Sequence, residues 1–431
     1  MHRRQANLRL KGWRSLRAQL TAGSAATLLV LAPGVHGQAP PLAEVRTLSQ
    51  AFDAAWARQP EAAALAARRE ATRAQQQSAA AWTPEPAAIE LSTKTDGLNR
   101  SVRTLEYEVG IAIPLWLPGE RASALALAQA DGRAVESRIT SAQLRVAATI
   151  REAWWNWQRT RAEADAAQGQ LDNARRIAAD VARRLKAGDL ARADQHQAYG
   201  AVAAADAAVA QAQAAMIAAR QHLRTLTASP GLDLQAAHAD IGAEPDPGSV
   251  GADSELHADL LAVKDLASVA EGSATLVATQ SRANPELTIA ATRDRGAPTE
   301  AWQQTFRVGV RIPFGGGPRH DARSAAARAQ AIELQTQLNL ERARLAGERD
   351  SARARTVAAQ AQLAASGRRA QLARESRGFF DKSFRLGETD LPTRLRIEAE
   401  AAEAERQAVR AHIELAAAIS AWRQALGLLP Q

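Results

Sequence analysis

The chain contains one pattern twice, and the spacing between the copies does not drift. Val109-Gly110-Ile111-Ala112-Ile113-Pro114 returns as Val308-Gly309-Val310-Arg311-Ile312-Pro313, 199 residues later. Leu185-Lys186-Ala187-Gly188-Asp189 returns as Phe384-Arg385-Leu386-Gly387-Glu388, and Arg224 as Arg423, at the same offset. Loops between repeated units ordinarily change length, yet the distance from the proline to the glycine is 74 residues in both copies. A repeat of this kind implies two like units stacked or packed together, with a geometric reason for equal length.

Periodicity supplies the units. Leu105, Tyr107, Val109, Ile111 and Ile113 alternate with Thr104, Glu106, Glu108, Gly110 and Ala112. The second copy alternates Phe306, Val308, Val310 and Ile312 with Thr305, Arg307, Gly309 and Arg311. Period two with one greasy and one polar face predicts strands. Shorter strand candidates precede them at 87–94 and 286–293, across the polar turns Asp96-Gly97-Leu98-Asn99 and Asp294-Arg295-Gly296-Ala297-Pro298. Each repeat therefore holds one hairpin.

After each proline runs a long stretch of Ala, Arg, Gln and Glu, strong helix formers, ending at Gly188 or Gly387. About 70 helical residues reach roughly 100 Å. Leu171, Ala178 and Leu185 are seven apart, as are Leu372, Phe379 and Leu386, which predicts coiled-coil packing near that end. Returning helices are expected over 192–227 and 392–426, with Pro392 tolerated in a first helical turn. Two such hairpins reaching one plane would explain the fixed length. No systematic ladder of i, i+4 ion pairs is expected on these helices.

The N-terminus reads as a secretory leader over 1–37, with cleavage after Gly37. Six basic residues (Arg3, Arg4, Arg9, Lys11, Arg14, Arg17) precede a mainly apolar run of eight, Ala25 to Ala32, and small residues follow. Eight residues cannot span a bilayer, which takes about 20. No later run is expected to reach transmembrane length, so membrane contact would come from strands or an interfacial helix. The remainder divides into a first repeat (38–227), a linker with Pro230-Gly231 and Glu244-Pro245-Asp246-Pro247-Gly248 (228–256), a second repeat (257–427) and a short tail (428–431).

Charge and composition exclude other classes. Taking the leader's six basic residues from 54 Lys+Arg leaves 48 against 46 Asp+Glu, so the formal +8 falls to +2. Nucleic-acid binding loses its electrostatic support. The absence of cysteine excludes disulfides, thiol chemistry, cysteine–zinc sites and a lipid-modified N-terminal cysteine. His196, His222, His238, His257, His320 and His412 are scattered, so no metal site is expected, and no cofactor. Gly315-Gly316-Gly317 lacks the Lys-Ser/Thr of a phosphate loop, and no catalytic constellation stands out. Trp154, Trp155 and Trp157 read as packing against a girdle rather than as a ligand site.

Two hairpins give four strands per chain, too few to close a barrel, and open sheet edges are not tolerated in lipid. Three chains would supply twelve strands, apolar faces to lipid and Glu/Arg faces to a wet lumen. Trp82 and Trp116 bracket the base of the first hairpin as interfacial aromatics would. The alternative is a soluble sheet packed on helices, with both tryptophans in its core.

The duplicated strand and helical hairpins, the Gly-Ile-Ala-Ile-Pro strand end (Gly110 to Pro114) and the turn glycines together resemble the TolC-like outer-membrane efflux family, over about residues 44–427. The resemblance implies a mainly helical homotrimeric duct carrying a twelve-strand barrel in the outer membrane of a Gram-negative bacterium. Its helical tip would meet a periplasmic adaptor fed by an inner-membrane pump. A passive conduit, not an enzyme, is implied. The family's adaptor contact maps to Gly188, Asp189 and Leu190, and to Gly387, Glu388, Thr389, Asp390 and Leu391, which read equally well as turn residues. At the family's gate positions stand Asp194, which matches, and Phe384, Thr389, Thr393 and Arg396, which do not. Asp381 and Asp390 are the remaining candidates for an acidic lining. The Leu386-Gly387-Glu388-Thr389-Asp390-Leu391-Pro392 turn is similar to the cobalt–zinc–cadmium branch, while drug efflux and protein secretion stay open. The rival class is a soluble periplasmic coiled-coil scaffold or adaptor.

Overall fold

A computed structural model describes residues 46–96, 104–228, 243–248, 254–315 and 317–431. The expected secretory leader, most of the first strand turn and much of the expected linker lie outside these residues. The elements are α1 (Leu48–Trp56), α2 (Pro60–Ala79), β1 (Ala88–Thr95), β2 (Leu105–Pro114), α3 (Glu120–Ala187) and α4 (Arg192–Thr227). Then follow α5 (Ala258–Thr279), β3 (Glu286–Arg295), β4 (Gln303–Arg311), α6 (Gly317–Arg385) and α7 (Leu391–Ala425). The two longest helices have 68 and 69 residues, so each runs about 100 Å. α4 returns along α3 and α7 along α6, and α5 packs against both long helices.

The four strands form one antiparallel sheet in the order β1-β2-β3-β4. The central pair joins the two repeats: Ile111 lies opposite Ile289 and Gly110 opposite Ala290. A Cβ built on Gly110 would stand 3.3 Å from that of Ala290, so glycine permits the close strand approach. β3 continues two residues beyond the expected Arg293, to Arg295. The sheet grows into the long helices through a buried pin. The Glu120 carboxylate, at the first turn of α3, accepts from Leu117 N–H (2.9 Å), Gln280 Nε2 (2.8 Å) and Asn284 Nδ2 (2.9 Å). A negative charge is favoured at a helix N-terminus, and here it also ties α3 to the end of α5.

The main core is a girdle around the middle of α3. Trp154, Trp155 and Trp157 are buried there against Leu48 and Phe52 of α1, Leu223 of α4 and Ile413 of α7. A second clasp fastens the linker to this girdle. Glu244 is buried and accepts from Arg151 Nη2 at 2.6 Å, Arg151 Nε at 2.9 Å and Arg423 Nε at 3.2 Å. Arg423 also donates to the Pro245 carbonyl (3.1 Å) and Arg151 to the Leu428 carbonyl (3.0 Å).

Three sequence expectations need correction. Leu171 and Ala178 are buried, but Leu372, Phe379 and Leu386 are exposed, because α6 turns Ala370 and Phe384 toward its neighbours instead. Ion pairs along the helices are frequent: Arg344 bridges Glu341 and Glu348, Arg385 pairs Asp381, and Arg396 pairs Glu400. Mixed i, i+3 and i, i+4 spacings hid them. Finally, α4 is long and apolar enough to cross a membrane by composition. Its apolarity comes from alanine, which lets it lie close along the charged α3.

The Arg344 network carries a pH dependence. Its hydrogen bond holds the Glu341 carboxyl below the ordinary glutamate value of about 4.3. A carboxyl depressed in the folded state stabilises above its unfolded value, and that contribution is lost as pH falls through the lowered one. Amide-exchange protection around 341–348 is therefore expected to hold at pH 5 to 7 and to decline below about pH 4. Protection unchanged down to pH 3 would sink this assignment.

Candidate functional site: an amphipathic sheet and a helical tip

Cross-strand register sorts the sheet's side chains into two faces. On one face Ile89, Ile111, Ile289 and Val308 lie in a row, and Leu91, Val109, Ala291 and Phe306 form the next. Leu287 and Val310 continue the face beside Ile113. These are not core residues: Ile89, Leu91, Phe306 and Val308 are each at least 70% exposed. Tyr107, Val109, Ile111, Val310 and Ile312 are exposed too, whereas Leu105 and Ile113 are half-buried. The opposite face carries Glu90, Glu106, Glu108, Glu286, Arg307 and Arg311. Arg307 pairs with Glu108, Arg311 with Glu286 (3.4 Å) and Lys94 with Glu106 (3.7 Å).

Aromatic side chains mark both ends of the apolar face. Toward the helices, Trp82 and Phe314 are more than 90% exposed, and Trp116 Nε1 donates to the Ala81 carbonyl (3.2 Å). Trp82 is thus no core residue, which removes one support of the soluble-sheet alternative. Toward the strand turns, Tyr107 and Trp302 lie 5.9 Å apart. The sequence analysis missed Ile89, Leu91, Ile289 and Phe314. The first three alternate within strands that had been located but not sorted by face, and Phe314 stands one repeat beyond Leu115.

At the far end of the helices the two turns are built alike. Gly188 and Gly387 have φ of +90° and +80°, in the left-handed region that suits glycine. In each, the residue after the glycine donates its N–H back into the last helical turn: Asp189 to Arg184 O and Glu388 to Ser383 O, both 3.0 Å. The following helices are capped differently. The Asp194 carboxylate accepts from Ala191 N–H (3.0 Å), whereas Asp390 accepts from Thr393 N–H (3.2 Å). Hydrogen bonds from the Thr393 hydroxyl and then its N–H hold the Asp390 carboxyl below the usual range. Gly188, Asp189, Gly387, Glu388 and Asp390 are exposed, Thr389 bonds Ser383 Oγ (2.6 Å), and Leu190 is half-buried. Leu391 is buried with Phe384, so its side chain is withheld from any partner. Replacing Gly387 by Ala is expected to cost about 1–2 kcal/mol locally. Faster proteolysis at the tip would report it, and an unchanged cleavage rate would contradict it.

The structure separates the expected gate residues. Phe384 is buried between two guanidiniums, Arg184 at 4.8 Å and Arg394 at 4.5 Å from its ring centre. Arg394 in turn pairs with Asp381 (2.7 Å) and Asp180 (3.5 Å), linking α7 to α6 and α3. Asp194 and Thr393 are occupied in helix caps, and Arg396 pairs outward with Glu400 (2.7 Å). A cavity of about 1380 Å³ above this cluster separates the two hairpins. Among the described residues no group of acidic or histidine side chains is placed to hold a metal ion.

One amphipathic sheet continuous with two helical hairpins about 100 Å long defines the TolC-like fold. Among solved structures, the chain superposes on CusC with a TM-score of 0.74 at 16% identity, covering 90% of this chain and 94% of that one. It matches VceC of Vibrio cholerae with a TM-score of 0.71 at 16% identity, covering 89% and 97%. In sequence, it is 26% identical over 226 residues to the cobalt-zinc-cadmium resistance protein CzcC of Cupriavidus metallidurans. That match covers 52% of this chain, and the chain spans about half the length (53%) of this curated relative. Residues 51–229 match the Outer membrane efflux protein family model. The chain is thus similar to outer-membrane efflux proteins, in sequence over its first repeat and in fold over most of its length.

Proposed function

We propose that three copies of this chain form a passive duct through the outer membrane, the exit component of a tripartite efflux system. The exposed apolar face of the four-stranded sheet carries this reading. In water a face of that size costs free energy, and in lipid it does not. Edge strands β1 and β4 are free to pair with neighbouring copies, and three copies give a closed twelve-strand sheet with its charged face inward. A second feature supports assembly. Ile332, Leu340, Val357, Leu372, Phe379 and Leu386 are all exposed, and on a helix of 100° per residue they fall within an arc of roughly 100°. This stripe along α6 suits the flank of another copy. A soluble scaffold would leave both surfaces in water.

In this reading the exposed turn residues Gly188, Asp189, Gly387, Glu388 and Asp390 meet a periplasmic adaptor, and an inner-membrane pump supplies the solute. The likeness to CzcC and the Leu386–Pro392 turn favour divalent metal export. Deleting the gene is expected to sensitise cells to cobalt, zinc or cadmium, with resistance restored by the gene in trans. Sensitivity to dyes and detergents alone would assign the duct to drug efflux. Loss of the protein from outer membranes after a high-salt wash would refute the duct itself.

A further inference from the structure

The apolar face ends, at the strand turns, in two arginines that point the same way as the greasy residues. Arg293 lies opposite Tyr107 and Arg295 opposite Leu105, on the face of Val109 and Ile111. Both guanidiniums stack on the Trp302 ring, at 5.1 and 4.7 Å from its centre. Neither is paired with a carboxylate among the described residues, and Arg295 Nε is buried with no hydrogen-bond partner there. The turn's own carboxylate, Glu300, instead accepts from Gly296 N–H at 3.0 Å. The sheet's other face pairs Lys94, Arg307 and Arg311 with glutamates, so the contrast is between faces of one sheet.

We infer that Arg293, Arg295 and Trp302 form a binding site for the phosphate groups of a membrane glycolipid in the outer leaflet. The inference rests on the duct reading, which puts the strand turns at the cell exterior and this face in lipid. An arginine beyond the hydrocarbon band meets headgroups rather than acyl chains, and a phosphate offers its planar fork two acceptor oxygens. Stacking on tryptophan fixes both forks at the headgroup level, where indole rings also settle. The apolar rows below would lie along the lipid's acyl chains. Charge and greasy surface thus adjoin in the order in which one lipid molecule presents them.

The test uses the full-length protein reconstituted into vesicles of neutral phospholipid. These are doped either with a bisphosphorylated, acylated glucosamine disaccharide or with the same lipid after phosphatase treatment. Flotation of the wild-type protein with both vesicles comes first; failure to float would overturn the duct reading and, with it, this inference. Native mass spectrometry then reads lipid retained after detergent extraction. The phosphorylated lipid is expected to be retained and its dephosphorylated form lost. Arg293→Gln with Arg295→Gln should lower retention about 30-fold, on the scale of one surface arginine per charged headgroup. Arg307→Gln, on the opposite face, should leave retention unchanged. Equal retention of both lipids by the wild-type protein would overturn the inference without relying on any variant. Displacement of the lipid by millimolar inorganic phosphate at constant ionic strength would also overturn it, by reducing the site to a simple anion cleft.

Discussion

Glu244→Ala is expected to cost about 3–5 kcal/mol and to release the linker from the girdle. The reason is the imbalance it creates. One carboxylate with a fully buried side chain serves two arginines whose side chains are 5% and 4% exposed. Removing it strands two positive charges in a dry site, 93 and 179 residues away in sequence from their partner. The Arg151 contacts to Gln424 and Leu428 stay, but these are neutral acceptors and cannot offset its charge. Limited proteolysis within 229–253 and the thermal midpoint of the detergent-solubilised protein would read the effect. Replacing Arg151, Glu244 and Arg423 together by apolar residues of similar volume should return most of the loss, because no unpaired charge remains. A Glu244→Ala protein with unchanged midpoint and protease resistance would show that the clasp holds nothing.

Ile111→Arg tests the sheet rather than the girdle. Ile111 sits in the row with Ile89, Ile289 and Val308, away from both aromatic ends. In the proposed duct an arginine there would meet hydrocarbon at about 2–4 kcal/mol per site, three times in a three-copy barrel. The protein is expected to vanish from the outer-membrane fraction and to collect as periplasmic aggregate or degradation fragments. Glu108→Gln is the counterpart on the other face. It removes only a partly exposed pair with Arg307, a loss under about 1 kcal/mol, and membrane insertion should be preserved. Normal insertion of Ile111→Arg would mean that this face does not lie in lipid.

The contrast between these two substitutions also separates what could be read from the chain and what could not. The alternation from Leu105 to Ile113 is a local signal, since the direction of each side chain in a strand follows from its parity. The polar and apolar faces were therefore visible before any partner strand was known. The turn glycines were visible for a similar reason, because each ends an unbroken helical composition at a fixed distance. The Leu372, Phe379 and Leu386 seam was read as coiled-coil packing, and within one chain it is exposed. Heptad spacing states that residues share a stripe, but it does not say whether that stripe meets its own chain or another. Phe384 was placed by resemblance at a gate, while its surroundings are two arginines, one on α3 and one on α7.

By itself, the sequence determined the duplication, the strand and helix periods, the proline and glycine boundaries and the two-faced character of the strands. The duplication shows on comparing the chain with itself; the rest depend on residues within a few turns of one another, where backbone geometry alone relates side chains. Only the tertiary structure decided that β2 pairs β3 across the repeats, that Glu120 pins α3 to α5, and that Glu244 joins Arg151 to Arg423. It also placed Arg293 and Arg295 on a common tryptophan. Each of these depends on which distant segment comes to lie alongside, and burial and pairing are properties of that neighbour as much as of the residue itself.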